Sequence, residues 1–275
     1  MKKINASLEV SPKHVFEKKQ LDGLLPQGTD IYIADIGTDS TQDIVKAARI
    51  LTDYGYRPIP HLAARRFSNF DILSDRVERL TKEANVKNAL IIAGDINKPL
   101  GPYTDSLSLL RTEIFDRLNF EKIAIAGHPE GSPNFSQEQA FDSLKQKQEY
   151  AQNSDMDFYI VTQFGFDMES FIAWSKAVKA ENIDLPIHLG VAGPAKLATL
   201  IRFAALCGVG NSLAFLKKRG GAVANLATGY NPDNLVEKLE SYLEKNQESN
   251  ISQIHVFPFG GIEKTANWLK LRGSL

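Results

Sequence analysis

Three polar side chains stand where the sequence could place them against a ligand. Glu9 lies within a strand-like stretch, Asp95 follows the apolar stretch 88–93, and Gln163 follows the β-branched stretch 157–162. A carboxyl group in a partly apolar setting can act as a general acid near neutral pH, because burial raises its pKa. A carboxylate and an amide at strand ends can hold a cationic or amide-rich ligand. These residue types therefore indicate acid chemistry on a polar small molecule.

Each of the three residues also has a purely structural interpretation. Glu9 could face solvent from an alternating strand, Asp95 could cap a helix, and Gln163 could satisfy backbone groups of a loop. Residue type and position alone leave both interpretations open.

Further polar or glycine residues follow other strand-like stretches. His61 and His128 could ligate a metal, but neither belongs to a local H-x-H or H-x-x-x-H spacing. The single cysteine, Cys207, cannot form a thiolate cage, so we expect no metal site. The pair Gly260-Gly261 could form either a phosphate-binding turn or a plain turn. The remaining strand-end residues are Asp35 and Glu130.

Strand-like and helix-like stretches alternate along the chain without a linker rich in Pro, Gly or Ser. Eight such units are what a closed (β/α)8 barrel needs, and its ligands bind where the strands end. We therefore predict an α/β fold with one (β/α)8 TIM barrel over residues 1–275, and extra helices at about 194–246 between the seventh and eighth strands. The predicted strands are Ile4–Val10, Asp30–Ala34, Arg57–Ile59, Asn88–Ala93, Lys122–Ala126, Asp157–Thr162, Pro186–Val191 and Ile254–Pro258. Helix starts are predicted at Ser40, Ser68, Thr104-Asp105 and Ser136, and near Asp167.

An open, doubly wound sheet would show the same alternation of strands and helices. The G-x-G-x-x-G turn of dinucleotide-binding open sheets does not follow the first strand. Eight units also close a barrel without remainder, so the sequence favours the barrel.

The composition narrows the class of protein. The chain is 43% hydrophobic and 24% charged, with a net charge of −1, which gives no reason to expect nucleic acid or an anionic membrane as a partner. The first nine residues lack the apolar stretch of an export signal. We therefore expect a cytoplasmic enzyme or binding protein.

Taken together, these features resemble the methylenetetrahydrofolate reductase family from near residue 4 to near residue 270. Each motif that carries the resemblance is short, and its specificity comes from the order and spacing of the whole set on an eight-unit barrel. The motifs are Ser7–Pro12, Pro60–Leu62, Ala93–Asp95, His128–Glu130, Thr162–Asp167 and Phe203.

The resemblance implies a flavoprotein oxidoreductase that carries FAD and passes hydride from NAD(P)H to 5,10-methylenetetrahydrofolate. Glu9 would be the general acid that opens the imidazolidine ring to an iminium cation. Asp95 would bind the pterin ring and stabilise that cation, and Gln163 would add a second pterin contact. Phe203 would stack beside the ligand over the flavin.

The resemblance also implies a cofactor site and a metabolic setting. The setting is one-carbon metabolism and methionine biosynthesis, with a folate as the small-molecule partner and without a regulatory domain after the barrel. Family members often form homo-oligomers, and the apolar helices within 194–246 could provide an interface. The residues that would line the FAD are His61, Gly94, Asp95, Thr104, His128 and Lys147.

Several positions depart from the family's pattern. Ala93 stands where Arg is common and removes a cationic contact expected near the flavin. Asp35 replaces a common Thr, His128 a common Tyr, and Gly261 a common Arg near the folate. These departures bear on FAD affinity and on folate contacts, whereas Glu9, the carboxylate of Asp95 and the amide of Gln163 are retained.

Three alternatives stay open at this level. The same site could run from 5-methyltetrahydrofolate towards the methylene form in a cell that catabolises methyl groups. A flavin-free, pterin-binding methyltransferase barrel would use the same carboxylate and amide. A non-catalytic barrel could bind an anionic metabolite at Gly260-Gly261. The sequence contains no single residue that distinguishes NADH from NADPH as the electron donor.

Overall fold

The computed structural model describes residues 3–17, 21–132, 135–207, 209 and 229–275. Strands and helices alternate along these residues, and a short 3-10 helix, Ala64–Arg66, follows the third strand. The strands are β1 (Ala6–Val10), β2 (Asp30–Ile33), β3 (Arg57–Ala63), β4 (Asn88–Ile92), β5 (Lys122–Gly127), β6 (Asp157–Gly165), β7 (Ile187–Ala192), β8 (Ala195–Lys196), β9 (Gly229–Tyr230) and β10 (Ile251–Phe257). The helices are α1 (Pro12–Glu17), α2 (Thr41–Asp53), α3 (Phe70–Ala84), α4 (Ser106–Leu110), α5 (Ile114–Arg117), α6 (Gln137–Gln152), α7 (Met168–Ala180), α8 (Leu197–Leu206), α9 (Asp233–Lys245) and α10 (Ile262–Arg272).

Eight of the strands form a closed parallel barrel in the order β1-β10-β7-β6-β5-β4-β3-β2. The first and last strands pair in parallel, with Ala6 opposite Ile254 and Leu8 opposite Val256. Most strand residues are buried, as in parallel sheets whose outer face is covered by helices. The predicted α/β barrel is confirmed. The short strands β8 and β9 form a separate antiparallel pair.

The chain divides into two compact units. The terminal unit comprises Met1–Leu8, Gly127–Lys145 and Ile160–Leu275, and the central unit comprises Glu9–Ala126 and Gln146–Tyr159. The expectation of one domain over residues 1–275 stays a prediction.

Helix starts in the central unit follow the capping rules. Ser40 caps α2 through a capping box, and Asp105 caps α4 in the same way. The predicted start of α3 at Ser68 is wrong by one residue. Asn69 caps that helix instead and accepts a hydrogen bond from a backbone N–H at 2.9 Å, because Asn is as good an N-cap as Ser.

Two strands extend at least three residues past their predicted ends, and the last barrel strand begins at Ile251 rather than Ile254. The third strand does not end at Ile59 but continues to Ala63, and the sixth does not end at Thr162 but continues to Gly165. His61 therefore lies within β3 rather than after it. Gln163 lies two residues before the end of β6.

The terminal unit contains the helices predicted between the seventh and eighth barrel strands. Helices α8 and α9 both lie within the predicted stretch 194–246, and β9 precedes α9. The rest of the predicted helical excursion, at 208 and 210–228, lies outside the described residues. Within the described part of the chain, no helix is both long and apolar enough to cross a membrane.

A buried carboxylate joins three segments of the terminal unit. Glu240 on α9 is 2% exposed and accepts hydrogen bonds from the backbone N–H of Ile4 at 3.1 Å and from Lys3 Nζ at 3.3 Å. It also pairs with Arg272 Nη2 at 2.6 Å. Burial opposes ionisation, but the bonds from Arg272 and Ile4 outweigh it and lower the pKa of Glu240. The carboxylate thus ties the N-terminal segment and α10 to α9.

Glu240→Ala should lower the free energy of unfolding by about 2–4 kcal/mol, because the buried Arg272 cation then keeps only Asp233 as a partner and the N–H of Ile4 loses its acceptor. Glu237→Ala, at an exposed position on the same helix, should change it by less than about 0.5 kcal/mol. Urea unfolding at pH 7 measures both variants. Since the folded pKa of Glu240 is depressed, its stabilisation is present above the ordinary pKa of Glu and is lost as pH falls through the folded pKa. Equal losses in the two variants would contradict the assignment.

Candidate active site

Glu9 contacts a histidine in the central unit. Its Oε2 lies 3.3 Å from Nε2 of His61, and the two side chains are 20% and 10% exposed. This distance is within the range of an ion pair when the imidazole is protonated. Tyr32 packs edge-on against the imidazole with ring centroids 6.1 Å apart. A half-buried carboxyl beside an imidazole can both hold a proton and receive one, which is the property that a general acid needs.

Asp95 is an exposed carboxylate held by an arginine. Its side chain is 77% exposed, and Oδ1 accepts a hydrogen bond of 2.5 Å from Nη2 of Arg66. The Arg66 side chain is only 16% exposed. The carboxylate of Asp95 is therefore an accessible hydrogen-bond acceptor that is held by the well-packed side chain of Arg66. Asp95 does not cap a helix in this structure.

A second arginine organises the loop around Asp95. The backbone N–H of Arg65 donates to Ala93 O at 2.9 Å, and its Nε donates to Thr104 O at 2.7 Å. Gly94 has φ +93°, and a Cβ there would lie 3.2 Å from the Cβ of Ala63. Glycine thus allows the backbone of this loop to pass close to the end of β3. The Arg65-Arg66 pair directly after the strand was not singled out from the sequence, where two arginines are equally typical of an exposed turn.

Both carboxylate oxygens of Asp35 form hydrogen bonds within the central unit. It is 8% exposed, and its carboxylate accepts hydrogen bonds from Arg76 Nη1 at 2.8 Å and from the backbone N–H of Gly37 at 2.9 Å. This strand-end residue therefore anchors a loop.

Lys147 on α6 is a buried ammonium of the central unit, 6% exposed. Burial lowers its pKa to about 8, while the carboxylate of Asp105 partly opposes this. Among the described residues, none forms a hydrogen bond or an ion pair with its ammonium group. A buried cation in such a setting favours an anionic ligand. Thr104, next to Asp105, is exposed and donates a hydrogen bond to it at 3.1 Å.

Gln163 lies at an irregularity of β6 in the terminal unit. The pairing of β6 with β7 shifts register between Val161 and Phe164. The side-chain Oε1 of Gln163 accepts the backbone N–H of Phe164 at 3.1 Å, which leaves the amide NH₂ to donate. A Cβ at Gly190 would lie 2.5 Å from the backbone of Gln163, so glycine is required opposite this point. The bulge therefore orients Gln163, which is half-buried.

Phe203 belongs to an aromatic cluster of the terminal unit. Its ring stacks on Phe259 with centroids 4.4 Å apart and an interplanar angle of 18°. Phe257 lies next in the stack, 5.7 Å from Phe259. Arg202 covers the Phe203 ring at 5.0 Å. Phe203 is half-buried, so part of its ring is accessible. Phe257 and Phe259 were not identified from the sequence, since nothing local separates them from core residues.

The other predicted residues fall in the terminal unit. His128 follows β5 and packs edge-on against Phe135 with centroids 4.9 Å apart. At Gly261, φ is +107° and the N–H is used in a turn to Pro258 O at 2.8 Å. A Cβ at Gly260 would lie 2.0 Å from Pro194 O. The glycine pair therefore serves a tight turn. The described part of the chain contains no group of three or more His, Cys, Asp or Glu side chains that could hold a metal ion.

Comparisons with known proteins identify a family and a fold. The model of the methylenetetrahydrofolate reductase family matches residues 12–228. The 5,10-methylenetetrahydrofolate reductase of Pectobacterium carotovorum is 27% identical over 225 residues, which cover 75% of this chain and 70% of that protein. Methylenetetrahydrofolate reductase 1 of Schizosaccharomyces pombe is 30% identical over 178 residues, 60% of this chain but only 28% of that protein.

Two solved structures share the fold at low identity. An uncharacterized protein from Clostridium thermocellum that binds two copies of 5-methyl-5,6,7,8-tetrahydrofolic acid superposes with a TM-score of 0.59 at 11% identity, covering 100% of this chain and 96% of that one. Dihydropteroate synthase from Thermus thermophilus gives a TM-score of 0.50 at 7% identity, covering 99% of this chain and 94% of that one. At these identities the likeness concerns the fold alone.

Lys147→Met should stabilise the ligand-free protein by up to about 3 kcal/mol at pH 7, from about 1.4 kcal/mol per unit of pKa depression. The unfolded state keeps the lysine proton up to its ordinary pKa, whereas the folded state loses it near pH 8. The advantage of the variant should therefore shrink as pH rises above about 8. Urea unfolding of the variant and the wild type between pH 7 and pH 10 measures this difference in the free energy of unfolding. Lys145→Met, at a half-exposed position on the same helix, should not stabilise. A destabilised Lys147→Met would contradict this account.

Proposed function

Because the chain belongs to the methylenetetrahydrofolate reductase family, we propose that it is a flavin-dependent oxidoreductase that interconverts 5,10-methylenetetrahydrofolate and 5-methyltetrahydrofolate, with NAD(P)H as electron partner. The observation that carries the proposal is the contact between Glu9 and His61, since it supplies the acid that the ring opening requires. The setting is one-carbon metabolism.

Glu9 protonates the nitrogen that leaves the exocyclic carbon when the imidazolidine ring opens. Without that proton the nitrogen would depart as an anion, which is a poor leaving group, so general acid catalysis lowers the barrier. His61 stands 3.3 Å from the carboxylate and can return a proton to it after each turnover. In the opposite direction the same carboxylate accepts the proton as the ring closes.

Asp95 and Gln163 are assigned to the pterin. A pterin edge carries adjacent N–H donors and a carbonyl, which match a carboxylate acceptor and an amide NH₂ donor. The accessible carboxylate of Asp95 and the fixed amide of Gln163 support these roles. Phe203 is assigned to the flat face of the ligand, because its ring is partly accessible and already stacked on its other neighbours.

Lys147 supports the assignment of FAD as the cofactor. A diphosphate would supply the direct anionic partner that this buried ammonium lacks among the described residues, and it would raise the lysine pKa back towards its ordinary value. His61, Gly94, Thr104 and His128 are assigned to the same cofactor. When bound, FAD supplies the ring that carries hydride between nicotinamide and folate.

The proposed function predicts the colour of the protein. The purified protein, or the protein after incubation with FAD, should show flavin absorption that anaerobic NADH or NADPH bleaches and methylenetetrahydrofolate restores. The two spectral changes report the two half-reactions separately. A protein that remains colourless with FAD yet binds methyltetrahydrofolate would overturn the flavoenzyme and favour a pterin-binding transferase.

The role of Glu9 predicts a selective defect. Glu9→Gln should slow reoxidation of the reduced protein by methylenetetrahydrofolate about 100-fold or more, because the amide cannot donate the proton. Reduction by NADH needs no such proton and should stay near the wild-type rate. Anaerobic stopped-flow absorbance measures both steps. Glu17→Gln, at an exposed position on α1, is the control. Full folate-dependent turnover by Glu9→Gln would contradict the role.

A further inference from the structure

We infer that Arg66 is a positioning residue for Asp95, an inference that rests on the proposed function. Asp95 is 77% exposed on the loop after β4, and an exposed side chain on a loop samples several rotamers. Binding a rigid ring by hydrogen bonds requires that the carboxylate be held in one orientation. Something other than local packing must therefore fix it.

Arg66 provides that restraint through a single carboxylate oxygen. Nη2 donates to Oδ1 of Asp95, whereas no contact of the described residues engages Oδ2. A carboxylate can accept about four hydrogen bonds, so the bond from Arg66 leaves most of the acceptor capacity for a ligand. The guanidinium is the buried partner and the carboxylate the exposed one, so the arginine holds the aspartate rather than the reverse.

The guanidinium of Arg66 lies directly against the backbone of Gly37. A Cβ at Gly37 would lie 1.1 Å from Nη1 of Arg66, so any side chain at this position would occupy the space of the guanidinium. The backbone of Gly37 is itself held by Asp35 at 2.9 Å, and Asp35 is held by Arg76 at 2.8 Å. Arg76 packs against Phe67 at 5.0 Å. A buried ion pair thus fixes the loop on which Arg66 rests.

The pair also determines what Asp95 can recognise. The positive charge of Arg66 offsets the negative charge of Asp95, so the two together attract a cation weakly. Asp95 is then suited to accept hydrogen bonds from a neutral edge with two adjacent N–H donors, such as the aminopyrimidine edge of a pterin. This refines the role given to Asp95 above: it binds the ring in the ground state and the transition state alike. Losing the restraint should therefore affect KM more than kcat.

The test uses the FAD-loaded protein with NADH and methylenetetrahydrofolate. Arg66→Ala should raise the KM for the folate by about tenfold or more while kcat changes less than about threefold. Arg66→Lys should fall between the wild type and Arg66→Ala, because lysine keeps the charge without the planar fork. Added guanidinium ion should lower the KM of Arg66→Ala. Arg79→Ala, on α3 and away from this loop, should keep the wild-type KM.

Gly37→Ala tests the same geometry without altering the arginine. Its Cβ should displace the guanidinium and raise the KM, and the double variant Gly37→Ala/Arg66→Ala should be no worse than Arg66→Ala. Thermal unfolding of each variant, with FAD bound, separates this effect from misfolding. A wild-type protein without the two half-reactions would overturn the proposed function. Normal wild-type turnover with an unchanged KM in Arg66→Ala would overturn the positioning role alone.

Discussion

Pairing between the first and last strands is the constraint on which the candidate residues depend. Once Ala6 pairs with Ile254 and Leu8 with Val256, the sheet closes and every barrel strand runs in one direction. A closed parallel sheet has no free edge, and the residues near the strands' carboxyl ends come from segments far apart in the sequence. Glu9 is the next residue of β1 after the last of these pairs.

Both units contain buried charged side chains, which differ in whether another residue pairs with them. In the terminal unit, Glu240 satisfies the N-terminal segment and Arg272 and so secures the chain beside β1. In the central unit, Asp35 and Arg76 satisfy each other, while Lys147 has no such partner among the described residues. Pairing offsets the desolvation cost of a buried charge, whereas an unpaired buried charge lowers stability until a ligand binds. This difference distinguishes Lys147 from the buried ion pairs of Asp35 and Glu240.

The barrel and most cap positions could be predicted from sequence because both depend on local patterns. The end of β3 could not, because Pro58 and Pro60 lack the N–H groups that a strand residue normally donates. Pro58 and Pro60 are two residues apart, so their missing N–H groups face the same neighbour, and the intervening N–H of Ile59 faces the other. The roles of Arg66, Asp35 and Phe259 were also out of reach, since each depends on a partner distant in the sequence. Gln163 was found from its place at the end of a predicted strand, whereas Phe203 was found only through the family motif.

The contact between Gly37 and Arg66 constrains the order in which this chain can change. A side chain introduced at residue 37 meets both an unfavourable φ of +80° and the guanidinium of Arg66. If a smaller residue first replaces Arg66, only the backbone cost remains at residue 37. Evolution or directed mutagenesis therefore has an accessible route in which residue 66 changes before residue 37, and a disfavoured route in which it changes afterwards. The two positions form an epistatic pair although they lie 29 residues apart in the chain.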